Sequence, residues 1–504
     1  MMKRVLALVL SAVLCVGVLA GCGKGDDAKK EPSKVLTCGL ESDIDNFDPF
    51  TNQQNPFVRF VNFNCYEALF HYNDKMELEM DLATEYKQVD DVTYTFKLRE
   101  NVTFHNGEAF TADDVIYTIN TINDEKTGAW RASQYANVAQ MTATDAHTLE
   151  IKLSAPQAGF IDNLAYTAIV SKSTTPTELT TTPVGTGAFK FVNWTPNDNI
   201  TFEKYDGYWE ADKVNLEKLI FKVIPDTTVA FTNLQSESVQ FLGSVDVETA
   251  NSISGEDDLV LIESETASTV YEVEIGRHNH EALADPEVVR AMFLALDRET
   301  VADSVFAGKA SASKSPFPSV SKYYAEVDTE GYDIEKANEV LKNTKFANGF
   351  EFDVYVLNSD PASQQTMVIW QADLKKLGIT MNINTCEISV WLDAYLERSY
   401  DMIANYYSMV GTDPSTYCSV IMTALADYQT KDLPELNTLI NDSANGTDET
   451  VRKENYKKIQ EMITEYRPVA SYVECSNLNG TTDDLQDVVV NAMGHAFFKY
   501  ASFK

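Results

Sequence analysis

This sequence is poor in residues that carry out chemistry by themselves. Six histidines are scattered along 504 residues. His278 and His280 could share one face of a strand, but no neighbouring acid or cysteine completes a metal-ligand set, so no metal and no cofactor is expected. G-x-S-x-G, HExxH and CxxC are all missing, and with them the signatures of a hydrolase elbow, a zinc protease and a thiol redox site. Gly185 and Gly187 lack the lysine and Ser/Thr of a phosphate loop, and are read as a tight turn with close backbone packing. Basic residues are also scarce. Lys and Arg total 40 against 76 Asp and Glu, a formal charge of −36, which repels nucleic acid and anionic lipid. The same charge gives a well-solvated surface, so acidity alone does not make the ligand cationic. Beyond the first two dozen residues no stretch approaches the apolar length of a membrane-spanning helix.

Positive signals begin at the N-terminus. Lys3 and Arg4 precede an apolar run from Val5 to Val18 that is too short to span a bilayer and has the layout of an export signal. The run ends in Leu19-Ala20-Gly21-Cys22, which resembles the bacterial lipoprotein box. That resemblance implies cleavage after residue 21, lipidation of Cys22, and a body held on the outer face of the cytoplasmic membrane. The alternative is an ordinary cleaved signal with an incidental cysteine. Residues 23–33 (GKGDDAKKEPS) cannot bury apolar surface and read as a flexible tether. Once Cys15 and Cys22 are set aside, Cys38, Cys65, Cys386, Cys418 and Cys475 remain. Their odd number leaves at least one unpaired within the chain, and they suit small core positions better than a disulfide framework.

Along the body, strand-like and helix-like segments alternate without an internal repeat. Residues 92–98 and 148–153 alternate apolar and polar and read as strands. Thr111 with Asp114 reads as the start of a helix that carries Val115, Ile116, Ile119 and Ile122 inward. One long helix is expected beyond Asp285-Pro286, with Val288, Val289, Met292, Phe293, Leu296 and Val301 facing the core. Helix 334–341, strand 350–357, helix 364–377 closed by Gly378, and strand 379–383 give the second half a βαβ rhythm.

The stretch Tyr94–Tyr117, YTFKLRENVTFHNGEAFTADDVIY, is similar to a signature of the large solute-binding proteins of peptide importers, the oligopeptide- and dipeptide-binding group. YEAL at 66–69, PVGTGAFKFVNW at 183–194, YDGYW at 205–209, YDIEKANEVL at 332–341 and LGI at 377–379 match in the same order. The resemblance implies an α/β, two-lobed periplasmic-binding-protein-like type II fold with an extra sublobe inserted in lobe one. The expected parts are a signal over 1–21, a tether over 22–34, lobe one over 35–275 with the sublobe at about 76–185, lobe two over 276–477, and a return to lobe one over 478–504. Ligand is expected between the lobes, which close by hinge motion.

In that family an aspartate commonly meets the peptide ammonium, in a segment shaped like Trp-x-x-Asp-x-x-Asp-Pro. Here the tryptophan position holds Tyr407 and the aspartate position Val410, with Asp413 before Pro414. Either Asp413 or another acid substitutes, or the ligand has no amine there; Asp413 equally suits capping of the following turn. Arg277 could fork onto a carboxylate or be structurally paired. Asn46, Phe47, Trp391, Tyr406 and Tyr407 complete the candidate contacts, each also a plausible core residue. The reading that follows is a monomeric, non-enzymatic component that delivers a short peptide to an ABC permease and ATPase. Its alternatives are an opine, sugar or metal chelate as ligand, or a surface receptor or sensor role.

Overall fold

The computed structural model describes residues 33–328, 330–418 and 433–504. Cys22, the expected signal and all of the expected tether except Ser33 and Lys34 lie outside the described residues. Alternating sequence becomes strand where expected. Thr93–Leu98 and Thr148–Leu153 pair antiparallel and send Tyr94, Phe96, Leu98, Leu149, Ile151 and Leu153 into the interior. Flanked by Ala83–Gln88 and Val138–Asp145, they form an antiparallel four-stranded sheet. The helix Ala112–Asn123 opens with a reciprocal box between Thr111 and Asp114, which satisfies backbone N–H groups that the first turn leaves unpaired.

A seven-stranded sheet runs in the order Leu259–Glu263, Leu478–Thr482, Phe241–Leu242, Val35–Leu40, Lys218–Val223, Asn199–Lys204, Phe189–Thr195. Val35–Leu40 lies parallel to both its neighbours and buries Leu36, Cys38 and Leu40. A six-stranded sheet runs in the order Ala310–Ala312, Val469–Cys475, Thr269–Ile275, Met402–Ser408, Glu351–Leu357, Thr380–Cys386. Glu351–Leu357 and Thr380–Cys386 pair in parallel across the helix Pro361–Lys376, as the βαβ rhythm requires. Trp370 on that helix is fully buried and donates its indole N–H to the Met292 carbonyl at 2.8 Å.

The strand Thr269–Ile275 lies in the six-stranded sheet, where it pairs on both edges with Met402–Ser408 and Val469–Cys475. The chain passes from the seven-stranded to the six-stranded sheet between Glu263 and Thr269 and returns between Cys475 and Leu478. The two connections touch: the Ser476 hydroxyl donates to the carbonyls of Ser264 at 3.1 Å and Thr266 at 3.3 Å. One expectation is corrected. The long helix after Pro286 is two helices, Pro286–Leu294 and Arg298–Ser304, because Asp297 caps the second by accepting from the Thr300 N–H. The expected inward residues are buried all the same.

The five described cysteines are all free, with Cys38, Cys65 and Cys418 buried. Cys65 lies under the glycine pair. A Cβ on Gly185 would sit 2.1 Å from the Cys65 carbonyl oxygen, so only glycine lets the two backbones approach. Gly185→Ala is expected to destabilise the protein by about 1–3 kcal/mol in urea denaturation. Gly331→Ala, where a Cβ meets nothing within 4 Å, is expected to stay within about 0.5 kcal/mol of wild type.

Candidate functional site

Beyond its last paired residue the strand Met402–Ser408 continues into residues 409–418, which reach the side of the molecule carrying the seven-stranded sheet. Gly411, at φ +82°, lies so near Tyr166 that a Cβ there would be 3.4 Å from its ring. The Thr412 hydroxyl donates to Asp162 at 3.5 Å, and the Tyr72 hydroxyl donates to the same carboxylate. Tyr406 on the same strand interacts electrostatically with Arg59, as does Glu41 just after Val35–Leu40, and the Arg59 guanidinium donates to the Ser244 hydroxyl at 2.9 Å. Groups from the two large sheets thus face one another along this segment, and the candidate cleft runs here.

Asp413 anchors the segment. Its buried carboxylate accepts from Arg452 Nη2 at 2.7 Å and 3.0 Å, lies 3.1 Å from Lys322 Nζ, and caps the next turn by accepting from the Ser415 N–H at 3.0 Å. Burial raises the carboxyl's pKa, but Lys322 and Arg452 outweigh it and hold the group below the usual range. Nearby Asp162 goes the other way: burial, with repulsion from Asp413, raises it. Asp413 is therefore occupied from within the chain as ion-pair partner and turn cap.

The other sequence candidates divide between cleft and core. Tyr406 and Val410 are exposed at 49% and 42%. Tyr407 is half-buried with its ring 4.6 Å from that of Tyr417. Phe47 is core, edge-on to Phe191 and Trp194. Asn46 accepts from the Asp48 N–H at 2.8 Å in a local turn. Trp391 is buried against Tyr395 and donates to the Ala404 carbonyl. Arg277 donates to the carbonyls of Tyr466 and Ala284, which makes it a structural pin. Beneath the tyrosines, Glu272 accepts from the Tyr417 hydroxyl at 3.0 Å. Burial, reinforced by Glu274, pushes its carboxyl up to about 8.

A cation absent from the sequence candidates lies beside this segment. Arg131 is buried, with its guanidinium 4.0 Å from the Trp130 ring centroid and 5.8 Å from that of Tyr166. Burial lowers its pKa to about 10. A cavity of about 20 Å³ opens beside it, lined also by Asn52, Asn62 and Phe63. The buried Trp130 Nε1 and Asn62 Oδ1 have no hydrogen-bond partner. The Tyr166 hydroxyl is near the Gly411 N–H without a hydrogen bond of its own. Trp130-Arg131 follows a glycine-containing loop and carries no motif, so sequence reasoning had nothing to select it by.

Arg452→Met removes both guanidinium contacts to the buried Asp413 carboxylate and leaves it Lys322, a loss expected to cost about 1.5–3 kcal/mol by chemical denaturation. Combining it with Asp413→Asn should recover part of that loss; a fully additive double variant would show that the two groups are uncoupled.

Comparison with known proteins agrees with this geometry. A profile described as bacterial extracellular solute-binding proteins, family 5 Middle, matches residues 77–428. The glutathione-binding protein GsiB of Pectobacterium atrosepticum is 26% identical over 363 residues, covering 70% of each chain. Among solved structures, the ABC transporter substrate-binding protein CtaP of Listeria monocytogenes superposes with a TM-score of 0.84 at 22% identity, over 94% of this chain and 100% of that one. The dipeptide binding protein of Pseudoalteromonas sp. SM9913, in complex with Met-Leu, gives 0.77 at 20% identity, over 93% and 100%. The α/β fold is thus that of these binding proteins, and with the profile spanning well over half of its length, the chain belongs to the bacterial extracellular solute-binding proteins of family 5.

Proposed function

We propose that this protein captures a short peptide between two sheet-centred lobes and delivers it to an ABC importer, without transforming it. The family match over 77–428 carries the reading, and relatives that bind glutathione and a dipeptide point to the ligand class. The chain itself adds two supports. Two short connections, 264–268 and 476–477, link the large sheets, the arrangement that permits hinge closure. The segment between them and the cleft offers exposed Tyr406 and half-buried Tyr407, amphipathic faces on which a peptide can pack and hydrogen-bond. With Asp413 already paired, the ligand's amine is met by a different group or by water.

The lobes are proposed as 35–263 with 478–504, and 269–475, with the four-stranded sheet and its helix as the inserted sublobe. Cys22 is proposed as the lipid anchor on the outer face of the cytoplasmic membrane. No helix among the described residues is long and apolar enough to cross a membrane. Cys22→Ala is expected to move the protein from the membrane fraction to the soluble one, and continued sedimentation with membranes would remove the anchor from the scheme.

Native mass spectrometry of the protein from its producing cells is expected to show a retained peptide, and small-angle scattering a smaller radius of gyration with that peptide than without. A radius unchanged at saturation contradicts closure. A retained ligand that is not a peptide contradicts the ligand class.

A further inference from the structure

We infer that the pocket at Arg131 is the seat for a ligand carboxylate, one carried next to an N–H, as at the C-terminus of a peptide. The inference deepens the solute-binding reading and rests on it. Its basis is an imbalance. Among the described residues, Arg298, Arg452 and Arg467 are buried like Arg131, and each faces an aspartate: Asp328 at 2.9 Å, Asp413 at 2.7 Å and Asp328 at 3.6 Å respectively. Arg131 has no such partner. It gives one hydrogen bond, to Gln134 Oε1 at 3.0 Å, and the groups acting on its charge are the neutral hydroxyls of Tyr135 and Tyr166. A buried guanidinium without a counter-charge is among the costliest groups a protein can hold.

The surroundings state what is missing. Trp130 Nε1 is a donor without an acceptor, adjacent to a guanidinium with free N–H positions; that pair matches the two oxygens of a carboxylate. Asn62 Oδ1 is an acceptor without a donor, suited to the N–H on the carbon that bears the carboxylate. The cavity of about 20 Å³ holds one or two water-sized groups, the scale of a carboxylate head. Water alone could satisfy Trp130 and Asn62, but it would not neutralise Arg131. The aromatic faces of Trp130 and Tyr166 attract the cation without cancelling its charge.

The test exposes ligand-stripped protein to three pools: tripeptides with free C-termini, the same tripeptides amidated, and small non-peptide carboxylates. Captured compounds are read by mass spectrometry on wild type, Arg131→Gln and Arg131→Lys. Wild type is expected to favour free acids over amides at least about tenfold. Arg131→Gln should lose that preference and Arg131→Lys should keep part of it. The ligand-free Arg131→Gln protein should melt no lower than wild type, since an uncompensated charge has been removed; a clearly lower melting temperature marks Arg131 as a structural residue and overturns the inference. Equal capture of acids and amides by wild type overturns it while leaving peptide binding intact, and so does a preference that survives in Arg131→Gln. Arg131-dependent capture of non-peptide carboxylates alone upholds the carboxylate seat and overturns the peptide reading. Capture from none of the pools overturns both.

Discussion

The buried contact between Asp413 and Arg452 holds the cleft together. Arg452 stands on the helix Glu449–Tyr466, where its Nε donates to the Ser443 carbonyl at 2.8 Å and its Nη1 to the Tyr323 hydroxyl at 2.6 Å. Those bonds aim the remaining fork at Asp413 and fix where the chain goes after Ser408. Gly411 and Thr412 then face Tyr166 and Asp162 on the opposite side. An exposed pair of this kind would contribute little. This one is dry on both sides, with each side chain 3% exposed, so its geometry is enforced by the cost of leaving either charge alone.

Charge acts on two length scales here. The protein presents an acidic surface, −36 over the whole chain, but at physiological salt its repulsion of an anionic solute is screened beyond about 8 Å. Inside, Arg131 is held in low-dielectric surroundings where a short-range contact outweighs a screened field. Net composition therefore says little about ligand charge. A zwitterion, neutral at long range and strongly dipolar at contact, is the solute least penalised by this arrangement.

Much of the fold was legible because it is written in local rules. Period-two alternation marked Thr93–Leu98 and Thr148–Leu153, and Thr111 with Asp114 marked a helix start. The break at Ala295–Asp297 was also written locally, as Asp297 followed three residues later by Thr300, but apolar periodicity ran across it and hid the cap. Sheet membership of Thr269–Ile275 was not legible, since which edges a strand pairs with is decided by segments more than a hundred residues away. The site was harder still. Aromatic residues named for it on family pattern split into exposed Tyr406 and buried Phe47 and Trp391, because side-chain burial depends on packing that no single position reports. Arg277 and Arg131 look alike in sequence. Only their surroundings separate them: backbone carbonyls for one, and Gln134 beside a small cavity for the other.

The tie between the two connections constrains how the molecule moves. One hydroxyl, on Ser476, grips two carbonyls on the neighbouring strand-to-strand link, and Asn477 Nδ2 adds a contact to Ser268 at 3.1 Å. Paired links of this kind bend together about a shared axis but resist twisting past each other, which would pull the hydroxyl off both acceptors at once. In the proposed closure this leaves the lobes one angle to vary, a double-pinned hinge that would bring residues far from the pin, such as Gly411 and Tyr166, together in one register.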